Sequence, residues 1–241
     1  MFIKETGFCL TEQLLGVLLS SLILVGLVNY YITFKNQFLL SQIKMDELIE
    51  REQIINLLRH RIQHAGFTPC MNLKNLLSSD LNQPIHHMTI EPTPKHTLTI
   101  RRMNEEFIVA QMTNDQTLMS HAKGIKFKNG DKIMVSDCHH AEVTEVESIK
   151  YSHLTTHITL SNSLRFDYRD SVYVGVFLDE SFHLAQNGNQ HSFVYHLNRS
   201  EVLSHSLNKF EVQLAEENKI TILLRFNHDK TDTTIEATIR S

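Results

Sequence analysis

Glu12 is the residue that most needs a chemical explanation. It lies near the start of an apolar run, residues 7–34, that reads GFCLTEQLLGVLLSSLILVGLVNYYITF. The run is about as long as the ~20 residues a membrane crossing requires. A charged side chain inside a bilayer costs roughly 2.5–3.5 kcal/mol on insertion scales and is usually functional there, so Glu12 calls for a partner charge. Cleavage of the chain after Gly7 would create one, the α-amino group of Phe8. A secretory signal fits poorly: it has a short apolar core followed by a small-residue exit site, whereas this run is long and its glycine comes first. A lipoprotein signal places its cysteine after the apolar core, and Cys9 precedes it. A plain signal anchor leaves Glu12 without a role.

The other reactive side chains form no array of known chemistry. Cys70 and Cys138 lie in the polar part of the chain. In an oxidising compartment they can pair, closing a loop worth roughly 4 kcal/mol in the chain-entropy picture. Kept reduced, they would be two buried thiols. Fifteen histidines is a high number, with adjacent pairs at His86-His87 and His139-His140. Neighbours on a strand face opposite ways, so neither pair chelates an ion by itself. HExxH, Cys-x-x-Cys and spaced Cys/His clusters are all missing, as are a nucleophile elbow and a phosphate loop. The acid pairs Glu105-Glu106 and Glu216-Glu217 read as turn or surface positions. No catalytic residue, metal or cofactor is expected. The formal net charge is −4, which gives no general attraction to nucleic acid. The densest basic spots, Arg59-His60-Arg61 and Arg101-Arg102, read as solvated faces.

The elements that must position these residues follow from periodicity. From residue 37 to 64 the apolar residues, among them Phe38, Ile43, Leu48, Ile54, Ile55, Leu58 and Ile62, recur at helical spacing between charges. No proline precedes Pro69, so one helix over residues 8–65 is predicted, about 85 Å long at ~1.5 Å per residue, with Gly66 as its C-terminal cap. Its second half is a spine with one apolar face for a head. All four prolines fall within the next stretch, residues 68–95, which reads as a loop with a short helix near residues 73–77. Strand patterns then run to the end: residues 97–101, 107–110, 132–135, 141–149, 156–160, 171–177, 192–197, 201–204, 210–214, 219–226 and 233–239. The last two read as a terminal hairpin. Asn187-Gly188-Asn189 marks a loop and a candidate join between two sheet lobes. One long helix followed by strands implies an α+β fold, with the helix packed on an antiparallel β-sheet head.

Gly7-Phe8-Cys9-Leu10-Thr11-Glu12 resembles the processing site of type IV prepilins and pseudopilins. In that class a prepilin peptidase cuts after the glycine and methylates the exposed residue, and an acid stands five residues into the mature chain. Three further stretches resemble PilW-type minor pilins in order along the chain. The spine ends Arg59-His60-Arg61-Ile62-Gln63-His64-Ala65-Gly66-Phe67-Thr68-Pro69-Cys70. A strand ends Ser136-Asp137-Cys138. A terminal hairpin runs out in an arginine, Arg240. The leader departs from the pattern, with Lys4 offset by Glu5 where a more basic leader is usual.

The resemblance implies four segments: a cleaved leader (1–7), a transmembrane and assembly helix (8–34), an amphipathic spine (35–66) and a β-rich head (67–241). It implies cleavage between Gly7 and Phe8, N-methylation of Phe8, a register role for Glu12 and a Cys70–Cys138 disulfide. It also implies a single-pass inner-membrane protein, N-terminus cytoplasmic and head periplasmic, that later joins a surface pilus at or near its tip and helps to initiate assembly. Expected partners are prepilin peptidase, other minor pilins and the major pilin, the inner-membrane assembly platform, membrane lipid and a pilus-tip adhesin, with no specific nucleic acid. Two alternatives stay open. One is a J-type minor pseudopilin of a type II secretion system, against which the cysteine pair argues. The other is a membrane-anchored periplasmic binding module.

Overall fold

One helix, α1 (Leu10–Gln63), runs without a break for 54 residues, as expected where no proline or capping glycine interrupts helical spacing. The computed structural model describes residues 10–80, 83–84, 90–92, 97–121, 127–152, 155–168, 171–188, 190–216, 219–227 and 229–239. The chain divides into two compact units, Met1–Gln53 and Ile54–Ser241. In the first, the described residues are helix alone, and its large apolar side chains from Leu10 to Ile49 are exposed.

The second unit contains the end of α1 and fourteen strands among its described residues. These are β1 (Leu77–Asp80), β2 (Gln83–Pro84), β3 (Ile90–Pro92), β4 (Thr97–Asn114), β5 (Thr117–Ser120), β6 (Lys132–Ser136), β7 (His140–Tyr151), β8 (Thr156–Leu160), β9 (Ser171–Asn187), β10 (Gln190–His196), β11 (Ser200–Ser204), β12 (Leu207–Glu216), β13 (Lys219–Phe226) and β14 (Thr233–Thr238).

Six strands close on themselves. β4 pairs with β5, β5 with β8, β8 with β7, β7 with β6, β6 with β9, and β9 with β4 again, every pair antiparallel. The result is a small barrel, a shape that removes free strand edges. Inward residues stand two apart along each strand, as the pleat requires: Ile108 and Ala110, Ile133 and Val135, Ile158 and Leu160, Val172 and Val174 form one core.

β4 and β9 are too long for the barrel and leave it together. Residues 97–103 pair with residues 177–183, β3 adds to β4, and β10 and β11 add beyond β9. The inner face of this open sheet carries Leu98, Ile100, Phe182 and Phe193. It shares a second core with Ile54, Ile55, Leu58 and Ile62 of α1 and with Phe210, Ile220, Ile222, Leu224 and Ile235 of the separate β12–β13–β14 sheet. The register of β4 against β9 breaks between Met103 and Phe107, a bulge that re-aims both strands. Gly175 faces the break. A Cβ there would lie 2.6 Å from Met103 Cγ and 3.3 Å from Phe107 Cβ, so glycine permits the close approach.

The α+β expectation is met in its coarse form, one long N-terminal apolar helix and a largely antiparallel sheet region. Several details are corrected. Residues 97–101 and 107–110 belong to one bent strand, because the bulge interrupts alternation without ending pairing. β5 is a further strand, outside those read from alternation. Within residues 68–95 the short helix expected near 73–77 is a 3₁₀ turn, Leu73–Asn75, capped by Asn72, but the stretch read as loop around it also holds β1, which pairs in parallel with β7. The loop at Gly188 (φ 62°) is the hairpin turn between β9 and β10 within one sheet. The two cores are divided instead at the bulge, and the two sheets after β11. Gly66, with φ 69°, sits in the left-handed conformation expected of a helix cap.

Candidate functional site

The first described turn of α1 carries Glu12. Its side chain is exposed and has no ion-pair partner among the described residues. Gly16, Ser20 and Ser21 lie on the same stretch and line a shallow groove with Gln13 and Val17. Ser20 Oγ donates to the Gly16 carbonyl at 2.7 Å and Ser21 Oγ to the Leu18 carbonyl at 2.7 Å, so both hydroxyls are satisfied within the helix, as an apolar surrounding requires. A Cβ at Gly16 or Gly26 would meet nothing within 4 Å. Glycine costs a helix about 1 kcal/mol relative to alanine, and no contact in the described chain calls for it at these two positions. By length and composition the helix is apolar enough to cross a membrane. Gly7 and Phe8, the proposed cleavage and methylation positions, lie outside the described residues.

The second site is the staple. Cys70 and Cys138 are joined in a disulfide with Cα atoms 5.3 Å apart. Cys70 belongs to the segment that leaves α1. That segment is sewn down on both sides of the bond: Gly66 N–H donates to the Arg101 carbonyl at 2.9 Å, Leu73 N–H to the Gly66 carbonyl at 2.8 Å, and Met103 N–H to the Phe67 carbonyl at 2.9 Å. Cys138 lies in the β6–β7 turn, which Asp137 organises. Its carboxylate accepts the N–H groups of His139 (2.7 Å) and His140, and it lies 3.2 Å from His140 Nδ1. Burial pushes the Asp137 carboxyl up, but the His139 and His140 N–H groups and the His140 imidazole outweigh it and hold the carboxyl below its usual range.

The His140 ring lies against Phe166, centroids 4.5 Å apart, with Tyr168 edge-on. Buried Glu142 accepts the backbone N–H of Arg165 at 2.9 Å and of Phe166 at 2.8 Å, pinning that loop beside the barrel. Burial first, then the Glu142 and Asp137 carboxylates, hold the Tyr168 phenol well above its ordinary pKa. These groups fasten a turn and a loop. Among the described residues no group of three His, Cys, Asp or Glu side chains is placed to hold a metal ion.

A third cluster corrects the expectation of solvated basic faces. Arg61 and Arg102 both turn onto Glu180, whose side chain is fully buried. Arg102 Nη2 stands 3.0 Å from Glu180 Oε1, and Arg61 Nε 3.3 Å from Glu180 Oε2, the latter without hydrogen-bond geometry. Arg102 Nη1 also reaches Glu105 Oε1 at 3.4 Å, and His64 Nε2 lies 3.6 Å from the same oxygen. A carboxylate this deep requires such partners. Arg59 stays exposed and bonds Asn56, while Arg101 pairs with Asp179 at 3.2 Å near the surface.

No known protein family, curated protein or solved structure matches the chain. The residues must therefore speak for themselves. Of those singled out by sequence, Cys70 and Cys138 are brought together. Glu142, Glu180 and Gly175 were missed. For Glu180 the signal was its neighbour: an Asp-Glu pair inside a strand otherwise rich in Val, Phe and Leu, where alternation puts one acid outward and the other in.

Proposed function

We propose that this protein is a minor subunit of a type IV pilus, of the PilW type. It is cut after Gly7 by prepilin peptidase and methylated on Phe8. It crosses the inner membrane once, N-terminus cytoplasmic and head periplasmic, and primes assembly with other minor pilins at or near the pilus tip. The observation that carries this reading is Glu12, a lone acid in the first described turn of an apolar helix, with no partner in its own chain among the described residues. In a bundle of such helices it pairs with the Phe8 amine of a neighbouring subunit. The value of that pair lies in register, since any other offset leaves two charges unpaired in an apolar surrounding. Gly16, Ser20 and Ser21 supply a small-residue face for close helix approach.

The Cys70–Cys138 bridge supports the PilW type over a J-type pseudopilin. Mass spectrometry of membrane-extracted protein tests the reading: an N-methylated Phe8 terminus is expected, and an intact Met1 overturns it. Glu12→Ala should leave cleavage intact and reduce incorporation into pili. Deletion scored for both surface pili and secreted enzymes separates a pilus from a secretion machine.

A further inference from the structure

One stretch of β9 has a strand beside it on one side only. On its other side β6 pairs as far as Ile133 opposite Val176, and β10 takes over at His196 opposite Ser181. In between, residues 177–180 pair with β4 and, among the described residues, with no second strand. Both would-be neighbours turn away: β6 is preceded by the turn at Gly130 (φ 84°), and β10 is followed by the bend at Leu197 and Asn198. The break follows from β9 serving two structures, the barrel and the open sheet. It leaves a half-enclosed cleft of about 610 Å³ against this backbone.

The charges around the cleft are unevenly engaged. Asp179 is held by Arg101 at 3.2 Å, and Asp131 accepts the Lys128 N–H at 2.7 Å. His196 uses Nδ1 on Ser200 Oγ at 3.1 Å, which leaves Nε2 available. Lys132 lines the cleft, and its ammonium has no ion-pair partner among the described residues.

We propose that the cleft binds a short extended peptide bearing an acidic side chain, which adds a strand to β9 between β6 and β10 and sets its carboxylate against Lys132. The gap of four residues spans roughly 13 Å at ~3.3 Å per residue, room for three or four residues of partner chain. Backbone pairing supplies the affinity and the charge supplies selectivity, as in other strand additions. The proposal rests on strand pairing and holds whether or not the chain assembles into a pilus.

The test uses the full chain in detergent and acetylated, amidated tetrapeptides based on Val-Thr-Val-Thr with Glu at each position in turn. In the free protein, those amides of residues 177–180 that point away from β4 should exchange at least tenfold faster than the amides of residues 172–176, and the best peptide should slow them at least tenfold. N-methylating the peptide backbone should abolish binding. Lys132→Glu should weaken the Glu peptide at least tenfold and strengthen its Lys counterpart, a reversal that a misfolded variant cannot produce. Protection of those same amides in the free protein, equal binding of the N-methylated peptide, no saturation by millimolar concentration, or protection by a neutral oligosaccharide in place of the peptide would each overturn the proposal.

Discussion

The barrel and the helix-backed lobe are built from the same two long strands, yet they handle buried charge in opposite ways. The barrel draws its six-strand closure from residues 107–176. Its buried acid, Glu142, is satisfied by backbone N–H groups of a nearby loop. Such donors cannot be lost by mutating a side chain. The lobe is assembled from distant pieces, the end of α1, the outer halves of β4 and β9, and β12 to β14. Its buried acid, Glu180, depends on Arg61 and Arg102, side chains from two other elements. A barrel can therefore tolerate change at its wall, whereas the lobe is vulnerable at one carboxylate.

The sharpest way to break this comparison is Glu180→Ala. It leaves Arg102, only 4 % exposed, without its buried counter-charge, and about 3–5 kcal/mol of stability should be lost. Denaturant unfolding measures the loss, and hydrogen exchange locates it: β12–β14 should lose protection while β5 and β8 keep theirs. Equal loss in both would erase the distinction drawn here. Replacing Cys70 and Cys138 by serine should cost roughly 4 kcal/mol through loop entropy, seen as a lower melting temperature that reductant no longer changes.

Gly175→Ala probes the junction. Its Cβ meets Met103, which is fully buried, so overpacking should cost about 1–3 kcal/mol. Adding Met103→Ala should recover part of that loss. If it recovers none, the close approach of the strands at the bulge is not what demands glycine.

The smallest effect concerns Asp137 beside the barrel. Its carboxyl is held low when folded, by N–H groups that outweigh burial. A depressed folded pKa contributes stability that is complete above the unfolded value, near pH ~3.9, and is lost as pH falls through the folded one. Asp137→Asn should therefore flatten the acid limb of the stability profile by lowering stability at neutral pH, and leave stability at low pH nearly unchanged. A limb of unaltered steepness would assign the acid sensitivity to other carboxylates.

Periodicity made the long helix legible, since 3.6-residue spacing is local and no proline intervenes before Pro69. It also exposed most strands by their alternation, β8 to the residue. It misread Arg102 because a strand residue shows its spacing but not which face is covered, and the cover here comes from a helix more than thirty residues upstream. Along α1 burial begins at Ile54, and apolar residues before it, such as Phe38 and Ile43, are exposed. A helical stripe records only that some apolar surface exists.

By itself, then, the sequence determined the uninterrupted helix, the lone acid at its start, the strand-rich remainder and the two cysteines available for a bridge, because each depends on composition or on short-range spacing. Closure of six strands into a barrel, the bulge that divides two cores at Gly175, the ion cluster on Glu180 and the stretch of β9 that, among the described residues, is paired on one side only were decided only by tertiary structure. Each depends on which distant strand lies alongside, a choice governed by the packing of whole sheets and not by any one segment's pattern.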